Sequence, residues 1–466
     1  RGLGDVYKRQ HQPHVGQHLQ FEDERALLAL FARLGVTRRL VRGALEMPVA
    51  QTSPAAFEQH EAFAVGRHLP HRLGRGRTVL VLINAVGDRT QRHGDDDVLG
   101  ILARRTGPGA VLAVLGELVT LVFEVDERAS RLILPYVKPD YLVVTGLFRD
   151  SLKRNAHPDY IFSVIDTYCP DSAKVILNAD ELCSSMLKKN SYRVFYGIGK
   201  QPDDKTEPYN LIADYQICPN CGEKLKYNYL RYHHIGDVVC PKCGLHSPDK
   251  KYLATDIDRE KMTITIQEGD KKTVYPLIHT ALFNIYNEVT VISALREIGL
   301  SAERVKELMG QIHIPDSRHN ETTVNGVTVI QALSKGQSAV SSSRTFEYVA
   351  NEEGKKAILL AMDDLEDRQK SIEFSGWIYD LEYEQFNRDD VVQVICTGPR
   401  CYDHKVRCLL AGIPEEKILT NLSEVAAADD VTIDGVDRIY ILYDCENYGM
   451  SCEMKKKIIK RLEGDK

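Results

Sequence analysis

Short apolar runs separated by longer polar segments set the rhythm of the chain from residue 118 onward. Residues 118–125 form an apolar run that closes on Glu124-Val125-Asp126-Glu127. Residues 141–145, 174–177 and 194–196 are further short runs rich in Val, Ile, Leu and Tyr. Compact apolar runs without strict alternation suit strands buried on both faces. Polar, partly helical segments separate them, and this alternation predicts a parallel α/β sheet. Residues 289–298 read as an amphipathic helix, with Gly299 as its stop signal. A second α/β pattern runs from about residue 324, with strands expected at 357–362, 391–397 and 438–443 and a helix at 403–410. Between the two patterns, residues 215–250 follow neither period.

Composition changes the picture at the N-terminal end. Residues 1–120 contain fifteen Arg, with Lys8 as their one Lys and Tyr7 as their one Tyr, whereas Lys and Tyr are common from Lys138 onward. One folded domain rarely changes so abruptly, and the opening RGLGDVYKRQ resembles a translated sequencing-adaptor tail. Residues 1–117 are therefore expected to be an out-of-frame or chimeric segment, the alternative being a genuine Arg-rich domain. They are not expected to pack as an ATP-binding N-terminal half. The remaining limits are 118–310 for a central domain, with the insertion at 215–250, and 311–466 for a C-terminal α/β domain.

Charge and hydropathy exclude some classes. A net charge of −6 over 466 residues gives no reason to expect nucleic acid as a partner. The longest apolar stretch, 111–125, is interrupted by Glu117 and is shorter than the ~20 residues a bilayer requires. No charged region followed by an apolar run opens the chain, so a cytoplasmic location is expected. All eleven cysteines lie at or beyond Cys169 and show no paired framework, which suits a reducing compartment.

Four of these cysteines have metal-ligand spacing. Cys218-Pro-Asn-Cys221 is followed by eighteen residues and then Cys240-Pro-Lys-Cys243. Each pair forms a tight knuckle that presents two thiolates to one ion. Gly222 and Gly244 follow directly, where a permissive backbone helps the turn. Two knuckles make a closed four-cysteine zinc ribbon with no open position, so the expected role is structural. His233 and His234 lie between the knuckles, but four cysteines already complete the shell.

Several stretches together carry a family resemblance. FEVDERASRLILPYVKPDYLVVTGLFRDSLKR, LNADEL, the ICPNCG and VCPKCG knuckles, FNIYN, SGWIYDLEYE and TGPRCYDHKVRCLLAGI resemble segments of the MurT family. These are the Mur-ligase-like subunits of bacterial lipid II isoglutaminyl synthases. The resemblance covers about residues 118–466. It implies a Mur-ligase-like central parallel sheet with an inserted four-cysteine ribbon, plus a C-terminal α/β domain. It also implies ATP- and Mg²⁺-dependent amidation of the D-glutamate α-carboxyl in the lipid II stem peptide at the membrane surface. The ammonia would come from a GatD-type glutamine amidotransferase partner in a heterodimer.

Individual residues take roles from position and resemblance together. Glu124 is the candidate Mg²⁺ or phosphate-end carboxylate, at the C-terminal end of a buried strand where α/β ligand sites open. Asn284 and Asn287 are candidates for nucleotide base or ribose, with capping of the following helix as the alternative. The resemblance places Asp380 as the acid completing the partner's Cys-His pair, orienting the imidazole as triad acids do. It places Arg318 and Lys335 on the nucleotide side.

The chain also departs from the family. No G-x-x-x-x-G-K-[ST] phosphate loop occurs in it. Gly146 and Lys153 replace the family's Asn and Asp around the LFRD segment. The alternatives are an amino-acid-adding Mur or folylpolyglutamate-type ligase, or a non-catalytic zinc-ribbon binding protein.

Overall fold

The computed structural model describes residues 77–83, 109–115, 118–149, 157–312, 319–335, 338–363, 375–444 and 447–464. All belong to one compact unit, Ala62–Lys466. Arg318 lies outside the described residues, as do residues 1–76 of the Arg-rich segment.

The apolar runs form a nine-stranded sheet. Its strands are β1 (Arg77–Ile83), β2 (Gly109–Leu115), β3 (Leu118–Val125), β4 (Tyr141–Val144), β5 (Lys174–Asn178), β6 (Arg193–Ile198), β9 (Tyr252–Asp258), β10 (Thr263–Glu268) and β11 (Lys271–Pro276). Their spatial order is β11-β10-β9-β6-β5-β4-β1-β3-β2. The six strands from β3 to β9 in that order pair in parallel. The two edges are antiparallel. β1 and β2 lie upstream of residue 118, so the sheet draws strands from the Arg-rich segment. Both are continuous apolar runs, RTVLVLI and GAVLAVL.

The central strands are buried on both faces. Val143 and Ile176 face one core, shared with helix α4 (Leu282–Glu297) and helix α5 (Ala302–Met309). Leu142, Val144, Val175 and Leu177 face the other core, shared with α1 (Ser130–Val137), α2 (Pro158–Tyr168) and the short α3 (Leu182–Ser185). Two-sided burial explains why the middle positions of these strands are apolar on both faces.

Helix α4 differs from expectation. It begins at Leu282, seven residues before the expected start, and it is buried at Ile285, Tyr286, Glu288, Val289, Thr290, Ile292, Ser293 and Ala294. So wide a buried arc is not amphipathic. Its N-cap is Ala281, so Asn284 and Asn287 lie inside the helix and cap nothing. Glu288 is a buried acid on this helix. It accepts the backbone N–H groups of Ile278 and His279, each at 3.1 Å. Burial outweighs those two bonds and pushes its carboxyl up to about 7. In the unfolded chain this acid ionises near its ordinary 4.5. Its contribution is therefore full below that pH and is lost as pH rises towards 7. Glu288→Gln should flatten the pH dependence of urea stability across that window, where the parent should lose about 3 kcal/mol in total. An unchanged slope would contradict this.

The ribbon is inserted between β6 and β9. It contains the hairpin β7 (Lys226–Tyr232) and β8 (Ile235–Val239). The C-terminal sheet has six strands, β12 (His319–Val324), β13 (Val327–Leu333), β14 (Lys356–Ala361), β15 (Val391–Thr397), β16 (Ile418–Asn421) and β17 (Arg438–Tyr443). Their order is β12-β13-β17-β14-β15-β16, parallel except for the β12/β13 pair. One face packs on α6 (Ala339–Asn351) and α8 (Cys401–Leu410) through Phe346, Cys401 and Cys408. The other packs on α9 (Glu424–Asp430) and α10 (Tyr448–Glu463) through Ala427, Met454 and Ile458. Among the described residues, no helix is long and apolar enough to cross a membrane.

Candidate functional site

The two knuckles close in the same way. Gly222 donates its N–H to Cys218 O at 2.9 Å, and Gly244 donates to Cys240 O at 3.1 Å. The φ angles of 72° at Gly222 and 74° at Gly244 lie in the left-handed region, which a Cβ would strain. The sulfurs of Cys218, Cys221, Cys240 and Cys243 all lie within 4.8 Å of one another. Tetrahedral Zn–S bonds of ~2.3 Å put sulfurs about 3.8 Å apart, so the donor set fits one such ion. The Cys243 N–H approaches Cys240 Sγ at 3.5 Å, and this backbone contact draws the Cys240 thiol down to about 6.

The two histidines between the knuckles serve other contacts. His233 donates its backbone N–H to Asn210 Oδ1 at 2.6 Å, and its Nδ1 lies 2.9 Å from Ile212 O. Burial pushes its imidazole well below the usual range, so the ring is neutral. His234 Nε2 lies 3.2 Å from Glu181 Oε1. Glu181 is fully buried and accepts N–H groups from Leu147, Cys183 and Ser184 at 3.1, 2.8 and 2.7 Å.

The hairpin is bolted to the central sheet by a buried charge centre around Asp180. Arg231 and Lys250 reach its carboxylate at 3.0 and 3.1 Å. Tyr286 and Tyr229 donate to it at 2.7 and 3.0 Å. Burial alone would raise this acid, but Lys250 and Arg231 outweigh it and hold the carboxyl below its usual range. Arg231 also donates to Ile198 O at 3.0 Å and to Gly199 O at 2.6 Å. One carboxylate thus joins the end of β5, strand β7 and helix α4. Asp180→Asn would leave two buried cations short of their counter-charge. Urea unfolding should show a loss of about 3–5 kcal/mol, and a loss below ~1 kcal/mol would mean the centre relaxes or hydrates.

Glu124 is half-buried near the end of β3, in register with Leu82 of β1 and Gly109 of β2. The parallel strands end along this edge, which also carries Asn178 and Asp180. The first turns of α4 reach the same edge, since Tyr286 bonds Asp180. Asn284 and Asn287, three residues apart, share one face of that helix, half-buried and exposed respectively. Lys335 follows β13 in a left-handed turn with φ 53°, and its carbonyl accepts Ser338 N–H at 3.0 Å. It belongs to the C-terminal sheet, whereas Glu124 and the two asparagines belong to the central one.

Asp380 closes the short helix α7 (Gly376–Tyr379), donating its N–H to Trp377 O at 3.2 Å. Trp377, Ile378 and Leu381 are buried in the C-terminal core, while Asp380 is half-buried. Helix α8 holds this turn. Arg407 donates to Leu381 O at 2.7 Å and to the Glu384 carboxylate at 2.7 Å. Buried His404 bonds Tyr383 and meets Met362 O at 2.9 Å. The neighbouring SGWIYDLEYE and TGPRCYDHKVRCLLAGI stretches are thus one packed unit around Asp380.

Burial raises the Asp380 carboxyl; Arg149 lowers it and Asp214 raises it. Arg149, from the LFRD stretch, pairs with Asp214 through its Nε at 3.0 Å and through a second, shorter contact. Sequence patterning does not single out Arg149, Asp180, Glu181, Asp214 or Arg231. Asp180, Glu181 and Arg149 do lie in stretches that carry the resemblance.

Comparison with known proteins fits this arrangement. Residues 337–447 match the family model described as MurT ligase C-terminal. The chain is 27% identical over 301 residues to lipid II isoglutaminyl synthase (glutamine-hydrolyzing) subunit MurT of Staphylococcus aureus, covering 63% of this chain and 65% of that protein. It is 25% identical over 315 residues to the protein of the same name in Streptococcus pneumoniae, covering 65% of this chain and 67% of that one. The chain thus spans about two thirds of the length of these relatives. The fold is similar to that of a pseudomurein peptide ligase type C from Methanothermus fervidus, with TM-score 0.56, 15% identity and coverage of 83% and 80%. It also resembles the MurF ligase from Thermotoga maritima in complex with ADP, with TM-score 0.51, 12% identity and coverage of 90% and 88%. The α/β fold is Mur-ligase-like.

Proposed function

We propose that this chain is the ligase-type subunit of a glutamine-dependent amidating enzyme of peptidoglycan synthesis, acting on the D-glutamate α-carboxyl of the lipid II stem peptide. One observation supports it most. A Mur-ligase-like fold carries both the four-cysteine cluster and a C-terminal domain, matched at 337–447, in which the family-like stretch bearing Arg407 holds the Asp380 turn. The cysteines are read as holding one structural Zn²⁺. The partner is read as a GatD-type glutaminase that releases ammonia from glutamine, with Asp380 completing its Cys-His pair. Work on a membrane-borne lipid from the cytoplasmic side is consistent with the absence of a spanning helix among the described residues.

A carboxylate is a poor electrophile, and ATP with Mg²⁺ would supply the leaving group it lacks. The residues of this chain do not fit that role fully. Glu124, Asn284, Asn287, Arg318 and Lys335 are the candidate contacts, but no phosphate-loop sequence accompanies them. No step through ATP is therefore assigned to it. That absence favours a second reading, in which the chain binds and completes the glutaminase without activating a carboxylate.

Co-expression with a GatD-type subunit tests the proposal. A stable heterodimer that hydrolyses glutamine is expected, and failure to associate would overturn it. ATP binding after restoration of a phosphate loop, together with amidated lipid II as product, would separate the two readings.

A further inference from the structure

The segment between the central sheet and the ribbon, residues 209–214, runs along the turn that carries Asp380. Asn210 Nδ2 donates to Glu382 Oε2 at 2.8 Å, and Leu211 N–H donates to Glu382 Oε1 at 3.1 Å. Ile212 is buried in the same core as Trp377, Ile378 and Leu381. Asp214 is buried against Arg149, with only 3% of its side chain exposed. Asn210 and Ile212 also hold the ribbon hairpin, since Asn210 Oδ1 and Ile212 O are both engaged by His233. The segment therefore reaches Glu382, two residues from Asp380, while being held itself by the ribbon hairpin.

We propose that Arg149 and Asp214 are positioning residues for Asp380, and that residues 209–214 form an arm through which the central domain sets that carboxylate's orientation and charge. This rests on the reading of Asp380 as the acid supplied to a glutaminase subunit. The arm fixes the backbone around Asp380 through Glu382 and Ile212. The guanidinium then favours the ionised carboxylate, while the neighbouring Asp214 opposes it.

The other charged groups on the elements packed here are engaged elsewhere. Arg407 pairs with Glu384, Arg344 pairs with Glu347, and Glu382 holds the arm. Among the described residues, Arg149 and Asp214 are the charged neighbours whose balance acts on Asp380. Arg149 follows the strand end at Val144 on a loop anchored by the Leu147 N–H to Glu181, so the pair it forms with Asp214 is tied to the central sheet.

The sign of the effect makes the proposal testable in the heterodimer. Arg149→Gln should move the acidic limb of the glutamine-hydrolysis pH profile upward by about half to one pH unit. Asp214→Asn should move it downward by a similar amount, and the double variant should lie close to the parent. KM for glutamine should stay constant, since glutamine binds the partner. Two structural partners in an ordinary ion pair would instead lower activity in the same direction at every pH. Heterodimer formation and near-UV circular dichroism report on folding. If Arg149→Gln does not assemble, Asp214→Asn alone carries the sign. Unmoved limbs, or equal losses at all pH values, beside an inactive Asp380→Asn would overturn the proposal and leave the Asp380 reading standing. Full activity of Asp380→Asn would overturn that reading itself.

Discussion

Asp380→Asn should lower glutamine hydrolysis by the heterodimer by about 10⁴-fold, the loss seen when an orienting carboxylate is made neutral in the serine-protease template. The substitution keeps shape and removes charge, so subunit association and unfolding temperature should be unchanged. The half-buried setting makes this a charge effect rather than a packing effect. Trp377, Ile378 and Leu381 carry the packing, and the N–H of Asp380 to Trp377 O is retained. In a version of the chain given a phosphate loop, amide formation from free ammonium should survive, because that route bypasses the glutaminase. Equal loss of the ammonium-driven and glutamine-driven reactions would place Asp380 in the ligase site. Unchanged glutaminase activity would make it a surface acid.

The second large effect concerns the metal. Purified protein should contain one zinc per chain, and chelation or Cys221→Ser should unfold the ribbon lobe. Structural zinc contributes on the order of 10–16 kcal/mol of apparent binding free energy in zinc-finger peptides. Here the effect should extend beyond the lobe. Tyr229, Arg231 and His233 on the hairpin anchor both the Asp180 centre and the 209–214 arm. Loss of metal should therefore expose residues 199–251 to proteolysis and weaken glutaminase activation together. Protein purified without stoichiometric zinc, yet folded and resistant to protease, would contradict this.

The sequence made some of this visible and concealed the rest for physical reasons. The strands at 141–144, 174–178, 391–397 and 438–443 were legible because both their faces are buried, which leaves mostly apolar runs with few polar interruptions. The cysteine cluster was legible because metal coordination requires fixed short spacings. The start of α4 was not. FNIYN carries two asparagines, and the helix is buried across so wide an arc that its apolar and polar positions do not sort into two faces. The Asp180 centre was equally hidden. Its partners Arg231, Lys250 and Tyr286 come from β7, the loop before β9 and α4, and no local pattern announces a pairing across such separations. The arm at 209–214 looks like an ordinary linker until the fold lays it beside Glu382. β1 and β2 show the reverse case. They are apolar runs within a segment whose overall composition argued against it.

The insertion between β6 and β9 has a consequence for how the chain reaches its folded state. These strands are parallel neighbours, with Tyr196 opposite Tyr252, yet about fifty residues of chain must be closed off before they can pair. Joining Cys218 to Cys243 shortens that path to two flanking pieces. By the logarithmic rule, halving a loop saves only about 0.6 kcal/mol, so the final stability gains little from the shortcut itself. The rate gains more, because a non-local strand pairing must meet its closure entropy before any contact rewards it. The cysteine cluster would then act as a checkpoint on the chain's maturation. The edge formed by β9, β10 and β11 would be the last part of the central sheet to gain hydrogen-exchange protection when metal is scarce.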